Sequence, residues 1–167
     1  MRVPFLLYIC GMINNIGMIH KIDLKKIAEG FRISEQTLKD FLNDGRVMGR
    51  LGEFIRVEMR KSNRASSEGS PYDINDEENG REEIRAISKT ISFASSKEVG
   101  SGRKVTKEGF KNKMDSVDLF VGVDYRNLSE IIFHEITKET VYEMEEKGIM
   151  RKNKSVNAKK LFSFINK

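Results

Sequence analysis

The chain has 167 residues and a formal net charge of +5, with a pI of about 9.3, a length that suits one domain with at most a small appendage. Hydrophobic residues make up 38% and charged residues 33%, so a modest core is expected beneath a charged surface that suits a charged partner. A single cysteine, Cys10, excludes an internal disulfide, and no apolar run has the roughly 18 residues of a membrane helix. These features favour a cytoplasmic protein without a membrane partner.

The first predicted helix covers residues 3–19. This stretch is apolar and follows Arg2, as the apolar part of a signal peptide follows a basic residue. However, Asn14 and Asn15 interrupt it, and no small-residue cleavage site follows. The sequence therefore favours a packed helix over a signal peptide.

Three more helices are predicted at residues 22–31, 34–43 and 46–61. Apolar residues recur in them at helical spacing, and Ser34 is a good N-cap for the second. The side chains expected to form the apolar faces of the first two are Leu24, Ile27, Ala28, Phe31, Leu38, Phe41 and Leu42. On the third, the stripe comprises Val47, Leu51, Phe54, Ile55 and Glu58, with Glu53 beside it.

Residues 22–43 resemble a helix-turn-helix unit. Arg32 stands where that family usually has the turn glycine, and the second helix offers one base against two acids, whereas a recognition helix is normally basic. Region 1–45 is therefore interpreted as a helical N-terminal region that is either a dimerisation arm or a helix-turn-helix-like unit.

From residue 71 the hydrophobic period changes from helical to strand-like. Strands are predicted at residues 71–77, 81–88, 118–125 and 130–136. Helices are predicted at residues 137–148 and in the basic C-terminal segment. This order of elements predicts an α/β (α+β) fold with a central mixed β-sheet flanked by helices.

Carboxylates concentrate around the Asn79-Gly80 turn of the first predicted hairpin. Between residues 68 and 83 there are seven acids and a single base, Arg81. Such a cluster is either a solvated acidic loop or a divalent-metal site.

The register of this hairpin decides which acids meet. A two-residue Asn79-Gly80 turn places Asp76 opposite Glu83, whereas a three-residue turn over 78–80 places Asp73 opposite Arg85. In either register Glu83 and Arg85 share one strand face, because they are two residues apart.

Asp73, followed ten residues later by Glu83 and then by the basic Arg85, resembles the motif of the PD-(D/E)xK nuclease superfamily. The spacing across a hairpin is similar to that of small type II restriction endonucleases. The resemblance covers roughly residues 46–136, including the helix that carries Glu53. It implies a restriction-endonuclease-like nuclease core in region 46–167.

The resemblance implies a Mg²⁺-dependent enzyme that hydrolyses phosphodiester bonds in double-stranded DNA at a specific short sequence. Asp73 and Glu83 would bind Mg²⁺, which lowers the pKa of a bound water and neutralises charge on the leaving oxygen. Glu53 would bind a second ion or orient a water. Arg85 occupies the family's lysine position; its charge would stabilise the phosphate, but it is too basic to act as a general base. Whether Arg85 or Lys89 takes the role of the family's lysine stays open.

A basic stretch follows the first hairpin. Residues 97–113 contain six Lys or Arg and two acids, which is typical of a DNA-binding surface or of a solvated loop. The side chains expected to contact DNA are Ser95, Ser96, Lys97, Ser101, Arg103 and Lys104.

Three functions remain open at this point. The first is a type II restriction endonuclease, which would act as a homodimer, because two sites cut two strands, and would be encoded near a protective DNA methyltransferase. The second is a non-enzymatic helix-turn-helix DNA-binding regulator. The third is a structural protein whose acidic hairpin binds a basic partner, which leaves the basic stretch without a role.

Overall fold

A computed structural model of the chain describes residues 17–67, 69–95, 98 and 104–166. Most of the helix predicted over 3–19 lies outside these ranges. The described elements, in chain order, are β1 (Met18–Lys21), α1 (Leu24–Phe31), α2 (Glu35–Leu42), α3 (Gly45–Arg60), β2 (Asn63–Arg64), β3 (Ile74–Asp76), β4 (Gly80–Ile87), β5 (Thr90–Ser92), α4 (Lys107–Ser116), β6 (Leu119–Asn127), β7 (Glu130–Thr137), α5 (Lys138–Glu146), β8 (Ser155–Asn157) and α6 (Ala158–Ile165).

The predicted mixed sheet with flanking helices is confirmed. A six-stranded sheet has the order β1-β7-β6-β4-β3-β2, and a second sheet pairs β5 with β8. Strands β3 and β4 form an antiparallel hairpin, β4 and β6 are parallel, and β6 and β7 form a second hairpin. The chain between the two parallel strands includes β5 and α4, so α4 reaches the sheet beside β4.

Strand β6 runs through the middle of the core. Its residues from Leu119 to Tyr125 are all buried, as expected of a strand covered on both faces. Val121 and Val123 pack with α1, α2 and α3 on one face. Phe120 points the other way and packs with α4, α5 and α6. The sheet therefore separates two hydrophobic clusters, and the face of β4 that carries Glu83 and Arg85 belongs to the α4 side.

Local sequence signals account for several helix ends. Ser34 caps α2 as predicted, since its hydroxyl accepts a hydrogen bond from the Thr37 N–H at 3.0 Å. Asp23 and Asp44 cap α1 and α3 in the same way. Arg32, the residue in place of the helix-turn-helix glycine, ends α1 in the left-handed conformation with φ +56°.

The N-terminal region differs from its prediction in two respects. Residues 18–21 form a strand, not the end of a helix, because they pair with β7 at the edge of the large sheet. The apolar faces of α1 and α2 are also narrower than expected. Each helix buries two residues four positions apart, Leu24 and Ala28 in α1 and Leu38 and Leu42 in α2. By contrast, Phe31 is 72% exposed and Phe41 is 61% exposed. Ile27, at 37%, lies on the same exposed flank of α1.

The short strands β2, β5 and β8 and the bounds of helix α4 were not predicted from the sequence. Much of the basic stretch is helix α4, because Thr106 caps it and Phe110 and Met114 bury one side of it. The short strand β8, which the sequence did not indicate, is defined by pairing with β5. Within the described residues, no helix is long and apolar enough to cross a membrane.

Candidate active site

The first hairpin has a register that neither sequence interpretation proposed. Asp76 pairs with Gly80 around a three-residue turn, Glu77 to Asn79. The side chain of Asp76 accepts hydrogen bonds from the backbone N–H groups of Glu78 and Asn79, at 3.0 and 2.9 Å. Gly80 has φ +75°, a conformation that glycine adopts without strain. The Asp76 carboxylate thus selects a turn one residue earlier than the predicted three-residue turn.

This register brings Asp73 beside Glu83, not opposite Arg85. The Asp73 N–H donates to the Glu82 carbonyl at 2.9 Å, and the Ile84 N–H donates to Oδ2 of Asp73 at 2.8 Å. The carboxylate of Asp73 therefore takes the place of a backbone acceptor where β3 begins. Both carboxylates line a cavity of about 510 Å³ between the sheet and α4.

The Glu83 carboxylate is nearly buried, with 6% side-chain exposure, and it is held by two cations. Nη2 of Arg85 lies 2.6 Å from Oε1 of Glu83, and Nζ of Lys113 lies 2.5 Å from Oε2. Arg85 also donates to the Ala94 carbonyl at 2.9 Å, and Lys113 donates to the Pro71 carbonyl at 2.6 Å. Each cation therefore contacts both the Glu83 carboxylate and a backbone carbonyl group.

Burial shifts the pKa values of this cluster. Removal from water raises the pKa of Glu83 above its ordinary value, and the negative charge of Asp73 adds to the rise, against the lowering effect of Arg85 and Lys113. Removal from water lowers the pKa of Lys113, with the Glu83 charge opposing the change. A carboxyl and an ammonium group shifted towards each other in one cleft are typical of a site that handles protons and charge.

Lys113 is the residue that sequence reasoning missed. Its position beside Phe110 and Met114 in the helical period already places it on the inner side of α4, so the signal was present once the helix was recognised. Lys89, the alternative that the sequence suggested, is exposed in the turn beyond the end of β4, where its carbonyl accepts a hydrogen bond from Ala158. The second cation at Glu83 therefore comes from α4.

Glu53 lies on α3 and lines a cavity together with Asp73, but its hydrogen-bond partners differ from those of Asp73 and Glu83. Its Oε2 accepts a hydrogen bond from Nη1 of Arg50 at 2.8 Å and lies 3.5 Å from Nη2 of Arg64. Burial raises the pKa of Glu53, and the charge of Asp73 contributes to the rise. The charge of Asp73 thus acts on Glu53, while Oε2 of Glu53 accepts hydrogen bonds from two guanidinium groups.

The residues predicted to contact DNA are only partly described. Ser95 lines the same cavity as Asp73 and Glu83, and Lys104 is exposed just ahead of α4. Ser96, Lys97, Ser101 and Arg103 lie outside the described residues.

The two carboxylates of this site could supply part of the coordination shell of Mg²⁺, with water and substrate supplying the rest. In the part of the chain that the structure describes, no group of three or more His, Cys, Asp or Glu residues could hold a metal ion. Asp73 and Glu83 nevertheless supply two hard oxygen ligands, and Mg²⁺ is commonly held by one or two carboxylates plus waters and substrate phosphates. Oδ2 of Asp73 accepts a hydrogen bond from the Ile84 N–H, and Glu83 would have to exchange one cation contact for the ion.

Comparison of the chain with protein-family models, with curated proteins and with solved structures finds no match. The geometry of the site is therefore the basis for assigning a function.

Proposed function

We propose that this protein is a Mg²⁺-dependent endonuclease of the PD-(D/E)xK type that hydrolyses phosphodiester bonds in double-stranded DNA. The observation that carries the proposal is the convergence of Asp73, Glu83 and Lys113 on one cavity beside the central sheet, with Arg85 paired to the Glu83 carboxylate. Carboxylates that hold a divalent ion, next to cations that face the phosphate, are what metal-assisted phosphodiester hydrolysis requires.

Each side chain has a defined task in this proposal. Asp73 and Glu83 hold the ion, which when bound supplies an activated water and neutralises charge on the departing oxygen. Arg85 stabilises the negative charge that develops on the phosphate, a role that its permanent charge suits. Lys113 takes the role of the family's lysine from a different element, α4, and orients the attacking water from that side.

The same proposal extends to sequence-specific, type II cleavage. The described part of one chain has one such pair of carboxylates, so cutting both strands of a duplex calls for two chains, and a twofold-symmetric homodimer matches a palindromic site. The net charge of +5 favours binding to DNA phosphates. A protective DNA methyltransferase encoded nearby is the expected genetic companion.

The test is cleavage of unmethylated plasmid or phage DNA by the purified protein, with Mg²⁺ and with EDTA. We expect discrete fragments that require Mg²⁺. Asp73→Ala should lower the cleavage rate by about three orders of magnitude, because losing an ion ligand removes about 4 kcal/mol of transition-state stabilisation. Asp115→Ala, which removes an exposed carboxylate from α4, is the matched control and should cleave at the wild-type rate.

Binding of the same DNA in EDTA separates loss of chemistry from loss of folding. Asp73→Ala should retain a salt-dependent gel shift. Intact DNA with the wild-type protein across varied sequences, together with a gel shift, would contradict the nuclease proposal and favour a DNA-binding protein. Equal cleavage by Asp73→Ala and wild type would remove Asp73 from the site.

A further inference from the structure

A second cavity adjoins the candidate active site. It has a volume of about 340 Å³ and lies between α3 and the loop that follows β2. Arg50 and Arg64 line it together with the serines of that loop, Ser66 and Ser67. Asp73 lines both this cavity and the first one, so the two share a wall.

Two arginines in this cavity share one carboxylate. Glu53 accepts from Arg50 at 2.8 Å and from Arg64 at 3.5 Å through the same oxygen, Oε2. Asp73 also lines the cavity, so the described lining has two positive and two negative side chains. The backbone N–H of Ile84 donates to Oδ2 of Asp73 at 2.8 Å.

Arg64 has donor capacity to spare. Its Nε is buried and has no hydrogen-bond partner among the described residues. Its guanidinium lies 4.6 Å from the ring centroid of Phe54, which fixes the plane of the group, and the guanidinium of Arg50 lies 5.7 Å from the same centroid. A guanidinium group held in one plane matches the oxygens of a phosphate group.

We propose that this second cavity binds a backbone phosphate of the nucleic acid, next to the phosphate that is cleaved. Arg50 and Arg64 supply the charge, and the hydroxyl groups of Ser66 and Ser67 supply the uncharged hydrogen bonds that commonly accompany arginine at phosphates. The identity of the anion as a backbone phosphate rests on the proposed function, whereas the anion site itself rests on the arginines. Because Asp73 forms the shared wall, the bound phosphate sets the position of its neighbour over the two carboxylates.

This assignment gives Glu53 a positioning role. Oε2 of Glu53 holds the two guanidinium groups in one cavity. Neutralising Glu53 should therefore let these groups move apart, without removing either of the carboxylates proposed to hold the ion. Glu53→Gln should therefore weaken DNA binding while the Mg²⁺ concentration needed for half-maximal cleavage stays unchanged.

The anion site is tested directly by NMR with inorganic phosphate as the probe. The Nε–Hε signals of arginine are recorded on the ¹⁵N-labelled full chain and assigned with Arg50→Gln and Arg64→Gln. We expect the Arg64 signal to shift saturably on addition of phosphate, and the shift to weaken in Arg50→Gln. The Arg46 signal, from an exposed arginine on the same helix, should not saturate. No saturable shift at Arg64 would overturn the proposal.

The DNA role is tested by the salt dependence of duplex binding in EDTA. Each of Arg50→Gln and Arg64→Gln should reduce the slope of log K against log[salt] by about 0.9, the value for one lost phosphate contact. Arg46→Gln is the control and should leave the slope unchanged, and thermal unfolding of all variants verifies folding.

The outcomes separate the two proposals. Cleavage by wild type with unchanged slopes in both arginine variants would overturn the phosphate site and leave the nuclease standing. A saturable phosphate shift and reduced slopes, without cleavage by wild type, would support the site and contradict the nuclease.

Discussion

Glu83 is the residue around which the candidate active site is arranged. Its carboxylate is removed from water, so an unpaired charge there would be costly, and Arg85 and Lys113 each neutralise one oxygen. The two cations come from different places, Arg85 from the same strand face and Lys113 from α4. Burial lowers the pKa of Lys113, whereas Lys89 is exposed beyond β4.

This difference between two lysines gives a prediction at the scale of the residue. Lys113→Met should lower the Mg²⁺-dependent cleavage rate by about 10²–10³-fold, the usual cost of removing one electrostatic contact to a transition state. Lys89→Met is the matched control and should cleave at the wild-type rate. Single-turnover cleavage with saturating enzyme provides the measurement. Loss of cleavage in Lys89→Met but not in Lys113→Met would assign the lysine role to the turn after β4.

At the scale of the element, helix α3 connects the sheet with the second cavity. Arg56 points to the sheet, and Arg50 and Glu53 face the second cavity. The helix lies close to β6 because Gly52 has no side chain: a Cβ there would be 2.6 Å from Cγ2 of Val123. Gly49, three residues earlier on the same helix, has only an ordinary contact at 4.0 Å, to Ala86.

These two glycines should therefore respond oppositely to alanine. Gly52→Ala should destabilise the fold by about 1–3 kcal/mol, since the β-branched Val123 cannot easily move away. Gly49→Ala should be neutral or stabilising by up to about 1 kcal/mol, because alanine is the better helix former. Urea unfolding of both variants tests the prediction. Equal effects of the two substitutions would contradict the close approach of α3 to β6.

At the scale of the whole molecule, one buried ion network joins a helix to two strands of the large sheet. Arg56 is fully buried and lies 2.7 Å from the equally buried Glu82 of β4 and 2.6 Å from Glu135 of β7. Asn79 donates a further hydrogen bond to Glu82 at 2.9 Å. Because β6 lies between β4 and β7, this arginine spans three neighbouring strands.

Removing the arginine should destabilise the entire fold. Arg56→Met leaves the Glu82 charge buried without a cation, at a cost of about 3–5 kcal/mol in the free energy of unfolding. Adding Glu82→Gln to this variant should recover part of the loss, since no buried charge then remains. The measurement is urea unfolding at constant m-value. A double variant less stable than Arg56→Met would contradict this account of the network.

Much of the element order was predictable from the sequence, because it depends on local signals. The apolar run of 118–125 predicted the buried strand β6, Ser34 predicted the start of α2, and Asn79-Gly80 predicted the hairpin turn. The ten-residue spacing of Asp73 and Glu83 also identified the carboxylates that the structure brings to one cavity.

Which side chains come into contact was decided by the tertiary structure alone. The Asp76 carboxylate fixed the register of the hairpin, and the packing of α4 against the sheet brought Lys113 to Glu83, 30 residues away in the chain. The pairing of Glu53 with Arg50 and Arg64 likewise depends on α3 meeting the loop after β2. Periodicity states which face of an element a residue occupies, but the neighbour on that face is chosen by the packing of distant segments.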